Sequence, residues 1–432
     1  MFRNAAKGTT MFFLLILATI FQVLTSAQVV FNRAETPTGI TANKELLYIF
    51  IAFIAVEWLY FIVSVFVLKA LNFEYELIAF FLCGIGLVVL ASISPDRTQT
   101  QFIAIMIGLF VYIFMNIMLR NLDLVMKLRL PVAVAACVLL AVTRILAQNI
   151  NGAYSWIQIG SFSFQPSELV KVAFIFVGAA TLEEIQSTRS LTKYMIFVGF
   201  CVGMLFLMKD LGAALIFFFT FLVLAYMRSG DIRTLFLVCL AALLGAAMIV
   251  FLKTDYVKDR FSTYRHIWED MNGSGFQQTR LLIYAVSGGL FGVGIGNGKL
   301  KSVFAAEDDL VFGVVCEEWG MIIGVSMVLV FGFLAISTIR RARTAHSAFY
   351  AISSCSAIAL LLFQLSLNVF GVTDLLPLTG VTFPFVSAGG SSIICCWALF
   401  AFLKAADNRS YPKVLKEQAL LRKQAKREGR NI

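Results

Sequence analysis

The stretch Leu77-Ile78-Ala79-Phe80-Phe81-Leu82-Cys83-Gly84-Ile85-Gly86-Leu87-Val88-Val89-Leu90-Ala91-Ser92-Ile93-Ser94-Pro95 contains no Asp, Glu, Lys or Arg. Coiled as a helix it is about 28 Å long, close to the ~30 Å hydrocarbon thickness of a bilayer. Comparable apolar runs cover about 9–30, 46–70, 101–119, 131–149, 168–184, 193–208, 211–228, 234–252, 310–339, 348–371 and 384–404, which makes twelve candidate spans. Composition agrees: of 432 residues, 60% are apolar and 14% charged. A globular domain runs at roughly 45–50% and ~25%, so this chain has too few ionisable groups to cover a soluble fold. The runs are continuous and do not alternate in ~10-residue segments, which argues against a β-barrel. The sequence therefore predicts an all-α polytopic membrane protein.

Short-loop Lys and Arg set the orientation, because basic residues stay on the cytoplasmic side. An inside N-terminus (Arg3, Lys7) places Lys127 and Arg129, Arg189 and Lys193, Arg228 and Arg233, and Arg340, Arg341 and Arg343 inside as well. The alternate loops 150–167 and 372–390 hold no Lys or Arg. Both termini are expected in the cytoplasm, with one long outer loop at about 253–309. Residues 404–432 carry nine basic side chains against three acids, +6 of the formal net +10. That tail reads as an anchor near anionic lipid, not as a nucleic-acid site. Arg3, Lys7, the first apolar run and Thr25-Ser26-Ala27 resemble a cleavable signal, but a twelve-span chain rarely needs one, and an uncleaved helix is expected. The eight cysteines all fall in apolar stretches and show no metal-binding spacing.

Chemistry should sit where ionisable groups meet spans, since burying them in lipid is costly. Glu168 and Lys171 stand one turn apart at the outer start of a span and can pair on one face. Asp210 opens another span on that side, at the tight Met208-Lys209-Asp210 joint, where an acid also suits the helix dipole. Glu307-Asp308-Asp309 lies where the long outer loop re-enters the membrane, with Glu317 and Glu318 about two turns deeper. Asp309, nearest the apolar run, has the surroundings that suit a general base. The run Gly288-Gly289-Leu290-Phe291-Gly292-Val293-Gly294-Ile295-Gly296-Asn297-Gly298 invites a phosphate-cradle reading but does not fit GxGxxG. A tight re-entrant or interfacial turn is the plainer expectation.

Several of these stretches resemble, in order, the signatures of the SEDS family, the FtsW, RodA and SpoVE proteins. Trp156-Ile157-Gln158-Ile159-Gly160 and Phe164-Gln165-Pro166-Ser167-Glu168-Leu169-Val170-Lys171 are similar to its W-x-x-x-G and QPSELxK; Asp210-Leu211-Gly212 to QPDLG; Gly275-Phe276-Gln277 and the glycine run to YQ and GG-x-x-G-x-G-x-G. Asp309-Leu310-Val311-Phe312 resembles HTDFIF, and Glu317-Glu318-Trp319-Gly320 resembles EE-x-G. Asn368, Leu376-Pro377-Leu378-Thr379-Gly380 and Pro384-Phe385-Val386-Ser387-Ala388-Gly389-Gly390-Ser391-Ser392 complete the set, which spans about 150–405. Glu307 and Asp308 replace the family's His and Thr, Met208 and Lys209 its Gln-Pro, Asp374 a Gly and Ala388 a Tyr.

The resemblance implies a SEDS-type bundle of about twelve helices: a ten-helix core plus an extra N-terminal pair. The expected division is 1–130 for the N-terminal helices, 131–405 for the catalytic core and 406–432 for the basic tail. It implies a peptidoglycan glycosyltransferase that polymerises lipid II, an undecaprenyl-pyrophosphate disaccharide-pentapeptide, outside the cytoplasmic membrane. A class B penicillin-binding protein is the implied partner, with other division, elongation or sporulation proteins. Asp309 is the implied catalytic residue. Trp156, Gln165, Glu168, Lys171, Asp210, Gln277, Arg280, Lys299, Asn368 and Ser391 are the candidate substrate-binding residues, with Lys171, Arg280 and Lys299 chosen by position and sign to meet the pyrophosphate. A divalent cation, Mg2+ or Mn2+, could do so too, held by Asp309 and Asp308. Two other functions fit the class: lipid II transport along Glu57, Glu168 and Lys171, or a non-catalytic scaffold for the penicillin-binding protein.

Overall fold

A computed structural model describes residues 2–32, 35–36, 39–40, 43–67, 72–150, 153–159, 162–183, 188–233, 236 and 264–407. The expected span at 234–252 (apart from residue 236), the start of the outer loop and the tail beyond 407 lie outside the described residues.

Polar punctuation between apolar runs sets the helices. α1 (Phe2–Asn32) and α2 (Lys44–Ile62, continued by a π turn, Val63–Val67) flank a small hairpin of β1 (Glu35–Thr36) and β2 (Gly39–Ile40). Asn43 caps α2, its Oδ1 accepting from the N–H groups of Glu45 and Leu46 at 3.1 and 3.3 Å. α3 (Glu74–Ile93) and α4 (Pro95–Met118) meet at Ser94, with Pro95 at the first helical position, where a missing N–H costs nothing. α5 (Leu122–Leu146) starts ahead of its apolar run, so Lys127 and Arg129 lie in its first turns and not in a loop.

The next loop holds three antiparallel strands in the order β3-β4-β5: β3 (Gln148–Ile150), β4 (Ala153–Ile159) and β5 (Phe162–Phe164). This is a local departure from the all-helical expectation. It lies in the loop between two spans, where water can satisfy the strand edges that lipid cannot. α6 (Pro166–Glu183), α7 (Thr188–Leu207) and α8 (Leu211–Ser229) follow, α8 ending at Gly230 with φ +63°. Beyond the undescribed stretch come α9 (Phe276–Ser287), a 3-10 turn (Leu300–Ser302), α10 (Val311–Glu318), α11 (Met321–Ala342), α12 (Ala348–Val372) and α13 (Gly390–Ala405).

Two expected boundaries are corrected. The run 310–339 is not one span: it breaks into α10 and α11 at Gly320, whose φ is +90°. A Cβ there would fall 2.2 Å from the Leu290 carbonyl oxygen, so a backbone approach that only glycine permits decides the break. The last helix starts at Gly390 and not at 384, because 384–389 form a loop.

Among the described residues eight helices are long and apolar enough to cross a membrane, and shorter apolar helices cover Tyr194–Leu207 and Gly390–Ala405. The protein is a multi-pass membrane protein. α13 is its central helix: Trp397, Leu399, Phe400 and Leu403 are fully buried, and Gly108 of α4 packs directly on the Trp397 ring. α3 and α12 share the centre, whereas α1, α2, α5 and α11 turn residues such as Phe13, Tyr48, Ile145 and Phe333 outward. Those side chains cost nothing against lipid tails. At one end of the bundle Glu76 accepts from the Tyr112 hydroxyl (2.6 Å) and the Lys404 ammonium (2.7 Å), while Arg341 pairs with Glu74 and with Asp407. That clamp ties α3, α11 and α13 together at the end away from the acidic loop.

Candidate functional site

Glu307-Asp308-Asp309 occupies a half-buried loop between the 3-10 turn and α10. The Ala305 carbonyl accepts from the N–H groups of Asp308, Asp309 and Leu310 at 3.1–3.2 Å, which folds the loop on itself. The loop 381–389 then binds its backbone. The Ser387 hydroxyl donates to the Asp308 carbonyl (2.5 Å), and the Ala388 N–H donates to that of Glu307 (2.8 Å). Gln101 of α4 grips the same loop, donating to the Ser387 carbonyl (3.1 Å) and accepting from the Gly389 N–H (3.3 Å). Asn368 of α12 finishes the frame: its amide donates to the carbonyls of Asp309 (2.9 Å) and Val381 (2.7 Å). Its own Oδ1, buried, has no hydrogen-bond partner among the described residues. The frame uses the peptide groups of the acids, and the Asp309 carboxylate is aimed at Gly380, where a Cβ would stand 3.5 Å from Oδ2.

The acids are not equivalent. Glu307 pairs with Arg97 at the start of α4. Burial pushes the Asp308 carboxyl up to about 6, and the neighbouring Asp309 charge adds to this while Arg97 opposes it.

A second cluster leads into this one. Gln165, just before α6, donates from Nε2 to Asp210 Oδ2 (3.0 Å), and its N–H donates to the Ser391 hydroxyl (3.4 Å). Asp210 caps α8 by accepting from the Ala213 N–H (3.0 Å); burial raises its carboxyl, opposed by that bond and by the Lys171 charge. Gly212 brings α8 against the loop of Gly380: a Cβ on it would lie 2.6 Å from Val381 Cγ2 and 3.2 Å from the Thr379 carbonyl oxygen. Residues 165, 210, 309, 368, 380 and 391 are thus linked at one mouth, at the same end of the bundle.

Other expected site residues sit elsewhere. Lys171 donates to Glu168 Oε1 (2.7 Å) and Gln364 Oε1 (3.0 Å), all three buried beneath the mouth. Gln364 in turn donates to Thr382, whose hydroxyl meets Ser392 (2.8 Å), so the ion pair props the loop above it. Gln277 donates to the Phe304 carbonyl (3.0 Å), Arg280 lies over the Phe276 ring (5.3 Å), and the Lys299 side chain is exposed. Trp156 pairs with Gln148 in the small sheet, which docks on the α7–α8 joint through Tyr154 N–H to the Met208 carbonyl (2.8 Å).

The glycine run folds around this chain's own acids. Glu317 accepts from the N–H groups of Lys299 (2.7 Å) and Leu300 (2.9 Å), and its carbonyl and that of Glu318 accept from Val293 and Gly294. A Cβ on Gly298 would strike both carboxylates. These amides are already engaged by carboxylates and carbonyls, which supports the tight-turn reading over the phosphate cradle.

Among the described residues no three His, Cys, Asp or Glu side chains converge on a point that could hold a metal. Asp308 and Asp309 suit an ion that takes one or two carboxylates and fills its shell with water and phosphate oxygens, as Mg2+ does. Arg97, Gln101, Gln364, Thr382 and Ser387 were not singled out in the sequence. Arg97 alone carried a signal, as a cation in the first turn of a span.

A family model described as "Cell cycle protein", FTSW_RODA_SPOVE, matches residues 76–411. Among similar proteins, the "Probable peptidoglycan glycosyltransferase FtsW" of Coxiella burnetii is 32% identical over 281 residues, 62% of this chain and 75% of that protein. The stage V sporulation protein E of Bacillus subtilis is 34% identical over 254 residues, 56% of this chain and 68% of that protein. A chain solved in work on "structural coordination of polymerization and crosslinking by a peptidoglycan synthase complex" superposes with a TM-score of 0.65 at 25% identity, covering 79% of this chain and 99% of that one. The rod shape determining protein RodA of Thermus thermophilus gives 0.59 at 25% identity, covering 79% and 98%.

Proposed function

The chain belongs to the FtsW/RodA/SpoVE family and is a peptidoglycan glycosyltransferase, and from that premise we propose that it polymerises lipid II at the outer face of the cytoplasmic membrane, with Asp309 as its base. The observation that carries this reading is the mouth. There the half-buried Asp309 is framed through its backbone by loops from three parts of the bundle, with its carboxylate turned toward Gly380.

In the proposed reaction an Asp309 carboxylate oxygen takes the proton from the acceptor sugar hydroxyl. The acceptor hydroxyl oxygen, its proton now on Asp309, attacks C1 of the donor sugar, the C1–O bond to the pyrophosphate breaks, and the lipid pyrophosphate departs with the bonding pair. Asn368 holds the Asp309 peptide still, which fixes the base relative to the acceptor. A bound divalent cation would supply charge compensation for the leaving pyrophosphate, with Asp308 and Asp309 as its protein ligands. Gln165, Asp210 and Ser391, bonded to one another at the same mouth, are the proposed contacts for the sugar-phosphate portion. For Lys171 the geometry supports a positioning role, since its donors already serve Glu168 and Gln364.

The family match starts at residue 76, which supports reading α1 and α2 as the extra pair ahead of a ten-helix core. Cytoplasmic termini follow from the basic loops, and the likeness to a chain of a synthase complex supports a class B penicillin-binding protein as partner. The test supplies the purified full chain and its cognate class B protein with labelled lipid II and Mg2+ or Mn2+. Wild type is expected to give glycan ladders, and Asp309→Asn none at an unchanged melting temperature. Ladders of equal yield from Asp309→Asn overturn the mechanism; flipping in vesicles with no polymer under any cation favours the transport reading.

A further inference from the structure

α9 is amphipathic the wrong way round for water. Gln278, Leu281 and Ala285 face inward, with Leu281 seated on Gly313 of α10. The opposite face carries Ile283 and Val286, 41% and 73% exposed, and the turn that follows the helix adds Leu290 and Phe291, 61% and 83% exposed. No acid or base interrupts that patch. Isolated exposed apolar residues are ordinary, but four large ones gathered on a helix face and the turn after it mark a contact surface.

Its position names the occupant. The carbonyls of Gly289 and Leu290 accept from the N–H groups of Met321 and Ile322 at 3.0 and 3.4 Å, which fixes the patch to the first turn of α11. α11 has 22 residues, about 33 Å of helix against a hydrocarbon core of ~30 Å, so its first turn stands at the membrane boundary. Ile322 and Val325, both exposed, carry the same apolar surface down α11 along the face that meets lipid. Just beyond the patch come exposed Lys299 and Lys301. Large exposed apolar residues with lysines beside them match a segment lying in the interface, apolar face in the acyl boundary and cations at the phosphates.

We infer that α9 and the glycine turn after it lie in the outer leaflet of the bilayer, with Ile283, Val286, Leu290 and Phe291 inserted. The bilayer itself is the occupant of this face. The same turn grips Glu317 and Glu318, and Gln277 of α9 bonds the Phe304 carbonyl a few residues before the acids. Insertion therefore fixes the height of the acidic loop above the lipid surface. This inference stands independently of the reaction assigned to Asp309.

The test uses the full chain in vesicles of phosphatidylethanolamine and phosphatidylglycerol, with Phe291→Trp and Val286→Trp as separate variants. The wild-type emission of the five native tryptophans is subtracted. Lipids brominated in the upper acyl chain are expected to remove most of the added emission, which is blue-shifted and little affected by aqueous iodide. Quenching by iodide but not by brominated lipid shows a face in water and overturns the inference. Protection from both overturns it too, by showing that protein covers the patch. Both positions are exposed, so either variant is readable if the other fails to fold, and neither readout depends on polymerisation.

Discussion

Replacing Lys171 by Met tests whether that lysine serves the fold or the pyrophosphate. Its ammonium bonds Glu168 Oε1 at 2.7 Å and Gln364 Oε1 at 3.0 Å, with both charged side chains under one-tenth exposed. Lys171→Met leaves the Glu168 carboxylate buried without its counter-ion, a change that costs about 3–5 kcal/mol in a buried pair. Part of that cost is offset because a chain unfolded within a membrane still finds polar partners, which points to about 3 kcal/mol. The double variant Glu168→Leu/Lys171→Met removes both charges and should recover most of the loss, with a coupling of about 2 kcal/mol. Melting in detergent and glycan-ladder yield are measured on the four proteins of the cycle. Because Gln364 carries the support on to Thr382 and Ser392, polymer yield should fall in the single variant and return with stability in the double. A Lys171→Met protein that melts like wild type refutes the argument. So does a double variant that regains its melting temperature yet makes no polymer, which would put Lys171 in contact with substrate.

The remaining predictions are briefer. Asp308 has its carboxyl raised from 3.8 to about 6, so the folded state favours the protonated form; stability from this group is complete below about pH 4 and lost as pH rises through about 6. In chelator-treated samples Asp308→Asn should flatten that part of the melting-temperature profile, and an unchanged profile contradicts the assignment. Gly320→Ala places a Cβ 2.2 Å from the Leu290 carbonyl oxygen at φ +90°, so strain of about 1–3 kcal/mol plus the clash should lower the melting temperature and the yield of monodisperse protein. A variant with wild-type melting would mean that the α10–α11 break is not held by this contact.

The membrane character and most spans were legible in the sequence because lipid allows only long apolar helices, and the loop charges follow from that constraint. Hydropathy is blind to backbone direction, however. It joined 310–339 across Gly320 and began the last span at 384, where Pro384 to Gly389 are apolar or small but serve as a loop that binds the acids. The small sheet was invisible for a related reason: its strands are short and lie beyond the bilayer, so no long periodic pattern announces them. At the site, Asp309, Asn368, Gln165, Asp210 and Ser391 were found through ordered motifs, and the structure brings them to one mouth. Gln101 and Gln364 were missed because an amide inside a span has no local signature. Their meaning appears only when the loop they bind arrives from hundreds of residues or one helix away.

Charge sign was the weakest guide. Lys171, Arg280 and Lys299 were selected as cations near the outer edge, and each has a different local use: an ion pair, a ring contact and an exposed side chain. Arg97, which no motif marked, is the cation beside the acidic loop, and it is bound to Glu307. Glu307 and Asp308 replace the family's His and Thr, so this member adds two acids to the loop and holds one of them with an arginine. That pairing leaves Asp308 next to the proposed base, its carboxyl pushed up by burial and by the Asp309 charge. A bound divalent cation, as proposed, would relieve the repulsion that the Asp309 charge exerts on Asp308. The added negative charge is thus compatible with an active site, and it makes the proposed dependence on a divalent ion stronger than a lone aspartate would require.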